Sequence, residues 1–288
     1  MREVLDRISK IGIVPVVVLE DAAKAVSVAK SLAAGGIDCA EVTFRTAAAE
    51  ESIRRIEAEC PEILLGAGTV LTTEQVDKAV AAGAKFIVTP GYNPKVVNYC
   101  VEKGIPIVPG CMDTNAIEMA LEAGLDTVKF FPAEAAGGLP MMKALAGPYV
   151  NLKFIPTGGV SKDNLNEYLS FKKIIACGGS WMVKGDLVKQ DRYDEIERLS
   201  RDAVAAMLDL KVSRIVTGAG EAEGLQAPLL AGVLGFAEAE SCVEITTTSL
   251  KQAMYHLEKQ GAAFCEPNGK EVCLKQKVNG MTVKLKEK

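Results

Sequence analysis

One pattern dominates the chain: over roughly the first 210 residues, a short apolar run rich in Val and Ile is followed by a helical pattern, again and again. The apolar runs are Ile11–Val18, Cys39–Phe44, Leu64–Val70, Phe86–Pro90, Ile105–Pro109, Thr127–Phe131, Lys153–Pro156 and Ile174–Cys177. They show little alternation of polar and apolar residues, as expected of parallel strands covered on both faces. Helix signals fall between them. Asp21 precedes a run of Ala and Val, Thr72 and Gln75 have capping-box spacing, Asn93 stands before Pro94, and Ser161 opens a helical stretch. Gly35, Gly83, Gly104 and Gly124 follow helical runs, where a left-handed C-cap is expected. Eight strand–helix units in series predict an α/β fold, a (β/α)8 TIM barrel at the short end of that fold's size range. The rival, a doubly wound open sheet, is disfavoured because no dinucleotide fingerprint is present.

The chain of 288 residues is longer than this barrel needs. Residues 1–208 are expected to form the barrel and residues 209–288 a small α+β appendage of βαββ type. The stretch Gly218–Gly235 is rich in Gly and Ala and has no clear period. After it come a strand over Val243–Thr247, a helix over Ser249–Lys259 ended by Gly261, and strands Glu271–Val278 and Met281–Lys286 joined by Asn279-Gly280, a hairpin signal.

Composition excludes several function classes. A net charge of -4 lacks the basic footprint of nucleic-acid binding. No apolar run reaches the roughly 18 residues of a membrane span, and the charged N-terminus is unlike a signal peptide. A cytoplasmic protein is expected. The single histidine, His256, rules out a multi-histidine metal site, and it reads as a packing or surface residue of the appendage helix. The 8 cysteines form no CxxC pair and read as reduced thiols, most of them buried.

In a barrel, chemistry sits at the C-terminal ends of the strands. On the second run, Glu41, Thr43 and Arg45 share a face, and the apolar Val42 and Phe44 share the other. The polar trio is therefore expected inside, either for use or as a self-satisfied Glu–Arg pair. On the sixth run, Lys129 shares the inward face with Thr127 and Phe131. Burial disfavours a charged amine, and a neutral buried lysine is a nucleophile suited to a Schiff base with a ketone. The plainer alternatives are a lysine that snorkels to the rim or pairs with Glu41. Lys85 and Lys153 lie at strand starts, the opposite face. Gly158-Gly159 and Gly178-Gly179, followed by Ser180, come after the seventh and eighth runs, where barrels commonly bind phosphate. Each pair also suits a tight turn. Thr69, in Gly66-Ala67-Gly68-Thr69-Val70, offers a hydroxyl near the site or a helix cap.

The segments IVPVVV, EVTFRT, GAGTV, TPG, VKFFPAE, PTGGV and GGSW occur in the order found in one family. Through them, residues 1 to about 205 resemble the 2-keto-3-deoxy-6-phosphogluconate aldolases, also called 4-hydroxy-2-oxoglutarate aldolases. The resemblance does not extend to residues 211–288. It implies a class I aldolase, an aldehyde-lyase that needs neither metal nor other cofactor and usually assembles as a homotrimer. It further implies Lys129 as the Schiff-base residue and Glu41 as acid/base. Arg45 and Thr69 would hold the pyruvyl carboxylate, and Gly158, Gly159, Gly179 and Ser180 the phosphate. The partner is then a small keto-acid sugar phosphate. One departure stands out: Asp113 replaces a threonine of the family's loop after the fifth strand. It leaves the phosphogluconate-derived, phosphogalactonate-derived and unphosphorylated substrates open. Two other classes remain, a phosphate-binding barrel serving as sensor or scaffold and a non-aldolase phosphate barrel such as an isomerase or synthase.

Overall fold

The apolar runs form parallel strands because each lies between the interior and a layer of helices, with no face left to water. The computed structural model describes residues 1–216 and 241–288, so Gly218–Gly235 lies outside the described residues. The described chain divides into two compact units, Met1–Met207 and Leu208–Lys288.

The first unit alternates β1 (Ile13–Val17), α2 (Ala25–Ala34), β2 (Cys39–Thr43), α3 (Ala49–Glu59), β3 (Leu64–Gly68), α4 (Thr73–Ala82), β4 (Phe86–Val88) and α5 (Pro94–Glu102). It continues through β5 (Ile107–Val108), α6 (Thr114–Glu122), β6 (Thr127–Phe130), α7 (Gly138–Ala146), β7 (Lys153–Pro156), α8 (Leu165–Leu169), β8 (Cys177–Gly179), α9 (Gly185–Lys189) and α10 (Tyr193–Leu208). A helix α1 (Arg2–Ile11) precedes β1, so Ile11 is helical rather than the start of a strand. Its buried Ile8 and Ile11 form one face of an otherwise charged helix, a short amphipathic signal that the mixed charges obscure.

Six strands form one curled parallel sheet in the order β5-β4-β3-β2-β1-β8, and β6 pairs with β7. Parallel bridges Gly110↔Lys129 and Thr157↔Gly178 join the two groups on either side. This is the α/β architecture of a TIM-like fold. Phe86, Phe130 and Phe154 fill the core, the last two edge-to-face at 6.4 Å.

The caps follow the local sequence in most places. Thr72 accepts from Gln75 N at 3.2 Å and Asn93 from Lys95 N at 3.1 Å. Two expectations are corrected. Gly35 is right-handed (φ -76), and Gly36 takes the left-handed turn (φ 98). Gly35 serves close packing instead, since a Cβ there would lie 2.4 Å from Ser200 Cβ. Ser161 does not open a helix: α8 begins at Leu165 behind Asn164, and Ser161 Oγ closes a local turn by accepting from Asp163 N at 3.3 Å.

The second unit holds a four-stranded sheet in the order β11-β12-β10-β9, made of β9 (Lys211–Val216), β10 (Cys242–Thr247), β11 (Glu271–Cys273) and β12 (Thr282–Glu287). Helix α11 (Leu250–Glu258) follows β10, capped by Ser249. The expected βαββ order is present with one added edge strand, β9, but the strand expected over Glu271–Val278 is regular only over Glu271–Cys273, and beyond it Leu274 and Val278 make isolated bridges, the latter to Met281. His256 is buried on α11, edge-to-face with Tyr255.

Candidate active site

Glu41 and Lys129 are buried polar side chains on strands of different sheets, β2 of the six-stranded sheet and β6 of the β6–β7 pair. They meet in the interior. Lys129 Nζ donates to Glu41 Oε1 at 3.1 Å, with Oε2 at 3.5 Å. Lys129 Nζ also stands 5.4 Å from the centre of the Phe131 ring. The side-chain parity expected from the sequence therefore holds for both residues. Of the plainer readings, the Lys129–Glu41 pair forms and the Glu41–Arg45 pair does not.

Two glycines make room for the carboxylate and its surroundings. In the register of the sheet Glu41 faces Gly66, and Thr43 faces Gly68. A Cβ on Gly68 would lie 2.2 Å from Glu41 Oε1 and 2.6 Å from Glu41 Cγ. A Cβ on Gly66 would lie 2.2 Å from the Phe86 ring. The small residues of the third strand thus clear space that Glu41 and Phe86 fill. The carboxylate is desolvated, which makes its charge-assisted bond to the amine stronger than the same contact in water.

The rim residues lie differently from expectation. Strand β2 ends at Thr43, so strand parity no longer governs Arg45, which is exposed. Its Nε reaches Thr69 Oγ1 at 3.3 Å, bringing the two expected carboxylate-binding residues together at one edge of the site. Thr69 follows β3 with φ 55, a left-handed conformation that turns the chain out of the strand. Asp113 is accounted for by local structure. It is the N-cap of α6 and accepts from Ala116 N at 2.9 Å.

The glycine loops also assemble. Gly158 (φ 97) and Gly159 (φ 85) both take left-handed backbone, which a side chain would strain. Among the described residues neither of their N–H groups donates to a protein acceptor, leaving donors of the kind an oxyanion needs. Thr157↔Gly178 brings the second Gly-Gly beside the first, and Ser180 is exposed directly after β8. The helix dipole expected after the seventh strand is not in place, because α8 begins four residues beyond Ser161 and runs only 5 residues. The polar groups this edge presents are loop amides rather than a helix N-terminus.

Sequence reasoning passed over other polar groups near the site. Thr157 Oγ1 and Trp181 Nε1 are buried with no hydrogen-bond partner among the described residues. Thr157 packs so closely on Gly178 that a Cβ there would lie 2.2 Å from its hydroxyl. Thr89 is buried at the end of β4, and its hydroxyl donates to Gly91 O at 2.7 Å. The signal available for Thr157 was its place next to the Gly-Gly pair. Among the described residues, no group of three or more His, Cys, Asp or Glu could hold a metal ion. No helix among them is long and apolar enough to cross a membrane.

A sequence profile described as "KDPG and KHG aldolase" matches residues 4–199. A Treponema pallidum protein named 2-dehydro-3-deoxy-phosphogluconate aldolase is 48% identical over 204 residues, covering 71% of this chain and 97% of the relative. The Escherichia coli K12 KHG/KDPG aldolase is 42% identical over 192 residues, 67% of this chain and 90% of that protein. A solved KDPG aldolase from Legionella pneumophila, with pyruvate captured as a covalent carbinolamine, superposes with a TM-score of 0.67 at 36% identity, covering 69% of this chain and 97% of its own.

Proposed function

The chain belongs to the family of KDPG and KHG aldolases, and from that premise we propose that it is a Schiff-base aldolase. It cleaves 2-keto-3-deoxy-6-phosphogluconate to pyruvate and glyceraldehyde 3-phosphate. The same site suits cleavage of 4-hydroxy-2-oxoglutarate to pyruvate and glyoxylate, as the name of the Escherichia coli relative suggests. The observation that carries the reading is the buried Lys129–Glu41 contact at 3.1 Å. A lysine amine beside one carboxylate, shut away from water, is the equipment that imine chemistry requires.

The steps follow from that pair. Glu41 takes a proton from Lys129 Nζ, and the freed amine attacks the C2 carbonyl to give a carbinolamine. Loss of the C2 oxygen as water, with Glu41 supplying the proton, leaves an iminium. Glu41, now a carboxylate, takes the C4 hydroxyl proton, the C3–C4 bond breaks, and its electron pair passes into the iminium to form an enamine. The aldehyde departs. Protonation at C3 and addition of water to the iminium then release pyruvate and the free lysine. Glu41 is close enough to Nζ to serve each transfer at the imine carbon. Arg45 and Thr69 bind the substrate carboxylate at the rim. Gly158, Gly159, Gly179 and Ser180 bind the distal phosphate through amides and a hydroxyl.

The bridges at Gly110↔Lys129 and Thr157↔Gly178 support reading the sheet as a closed eight-stranded barrel. Family membership supports a cytoplasmic homotrimer. The decisive assay follows pyruvate release from phosphorylated and unphosphorylated keto acids. Wild-type protein releases pyruvate from the phosphogluconate derivative, and Lys129→Ala loses turnover by orders of magnitude. Substantial turnover in Lys129→Ala would point to a different phosphate barrel. Saturable binding without pyruvate release would point to a sensor.

A further inference from the structure

A second polar cluster lies behind the Gly158-Gly159 loop and takes no part in the steps above. Past β6 the chain runs alongside this loop. Ala133 N donates to Thr157 O at 2.8 Å and Glu134 N to Gly158 O at 3.0 Å. The Glu134 side chain then lies over the second glycine, where a Cβ on Gly159 would be 2.4 Å from Glu134 Cγ and 2.6 Å from Glu134 Cβ. Glu134 Oε1 accepts from the hydroxyl of Tyr168, a side chain of α8 that is 2% exposed. Gly138 (φ 58) admits this contact, since a Cβ there would stand 3.2 Å from the Tyr168 hydroxyl and 3.5 Å from Glu134 Oε1. On the other side, Asn164 Nδ2 donates to Gly159 O at 3.1 Å.

The carbonyls of both glycines are thus held by hydrogen bonds, and among the described residues their amides donate to no protein acceptor. The loop is therefore kept in place by these polar tethers and by the stem of Glu134. Burial and the Glu134 contact push the Tyr168 hydroxyl well above the ordinary tyrosine range, so it remains a donor at any working pH.

We infer that Glu134, anchored by Tyr168, is a positioning residue that sets the Gly158-Gly159 loop for the phosphate end of the substrate. The inference rests on the reading that this loop takes the phosphate. A carboxylate beside a phosphate cradle would otherwise repel the ligand. Here its oxygen is engaged by the tyrosine, and the aliphatic stem supports the loop.

The test compares a substrate that carries phosphate with a ligand that lacks it. Glu134→Ala should raise KM for the phosphogluconate derivative about tenfold, the scale of a small misplacement of a binding group. Its kcat should stay within about twofold, as should the pyruvate concentration that half-saturates borohydride trapping. Glu134→Gln keeps the length and an acceptor for Tyr168, and should restore KM to within about threefold of wild type. An unchanged KM in Glu134→Ala, an equal shift in pyruvate trapping, or a Gln variant as impaired as Ala would each overturn the inference. Ser180→Ala and competition by inorganic phosphate separate the two readings. If neither alters saturation by the phosphorylated substrate, the phosphate assignment falls and the inference with it. If both do and Glu134→Ala does not, only the role of Glu134 is refuted.

Discussion

Replacing Glu41 with glutamine removes a charge and a proton acceptor but keeps the shape of the side chain. In the native protein Lys129 and Glu41 are 7% and 3% exposed and 3.1 Å apart. Removing one partner of so buried a pair leaves the other charge uncompensated, at a typical cost of about 3–5 kcal/mol. For a unit of this size, each kcal/mol lowers the melting temperature by about 2–4 °C, so Tm should fall by about 6–20 °C. A domain in the middle of the ordinary range, about 10 kcal/mol, keeps about 5–7 kcal/mol after that loss and stays folded at room temperature. The kinetic effect can therefore be read separately. Loss of the acid/base group should reduce kcat by about 10²–10⁴. Differential scanning calorimetry and a coupled pyruvate assay on the same preparation give both numbers. A Tm loss with kcat within about threefold of wild type would refute the acid/base role. An unchanged Tm would refute the claim that the pair is buried and mutually compensated.

Gly68→Ala places a Cβ 2.2 Å from Glu41 Oε1, so the carboxylate must move off Lys129. Steady-state kinetics should show kcat reduced by about 10–100-fold, the cost of a catalytic group displaced by about 1 Å, and a fully active variant would mean that Glu41 does not need this position. For the cysteines, burial pushes the Cys100 thiol up to about 11 and Cys111 up to about 12. Burial raises Cys39 and Cys177 as well, and all eight cysteines are free. Raised values keep the thiol form below those pH values, so at about pH 8 Ellman's reagent should label Cys265 first, Cys242 and Cys273 more slowly, and the five buried thiols only on unfolding. Rapid labelling of more than three thiols in the native protein would contradict this.

The strands were legible because residues buried on both faces leave continuous apolar runs, and seven of the eight runs overlap the strands closely. The ends were not. Strand β5 is only 2 residues long, Thr69 turns out of β3 with φ 55, and β8 occupies Cys177–Gly179 instead of the apolar Ile174–Cys177. In the last case, glycines make the ladder and Ile174 before them makes only an isolated bridge, which reverses the usual composition rule. Strand β9 carries Lys211, Ser213 and Arg214 and sits at a sheet edge, so its pattern is too polar to stand out. Lys129 and Glu41 were legible because a charged residue inside an apolar run needs a partner, and the alternation of strand side chains says which way it points. Arg45 was placed too deep, because that alternation was carried past the end of β2. The Glu134–Tyr168 contact joins residues 34 apart across a loop, and no local pattern marks it.

The central claim is that Lys129 forms the covalent link to the keto acid. Incubation with pyruvate and sodium borohydride, followed by proteolysis and mass spectrometry, tests it most directly. The account predicts a reduced pyruvyl adduct on the peptide containing Lys129, with loss of activity in proportion to labelling. An unchanged mass, or an adduct on any other lysine, would contradict it.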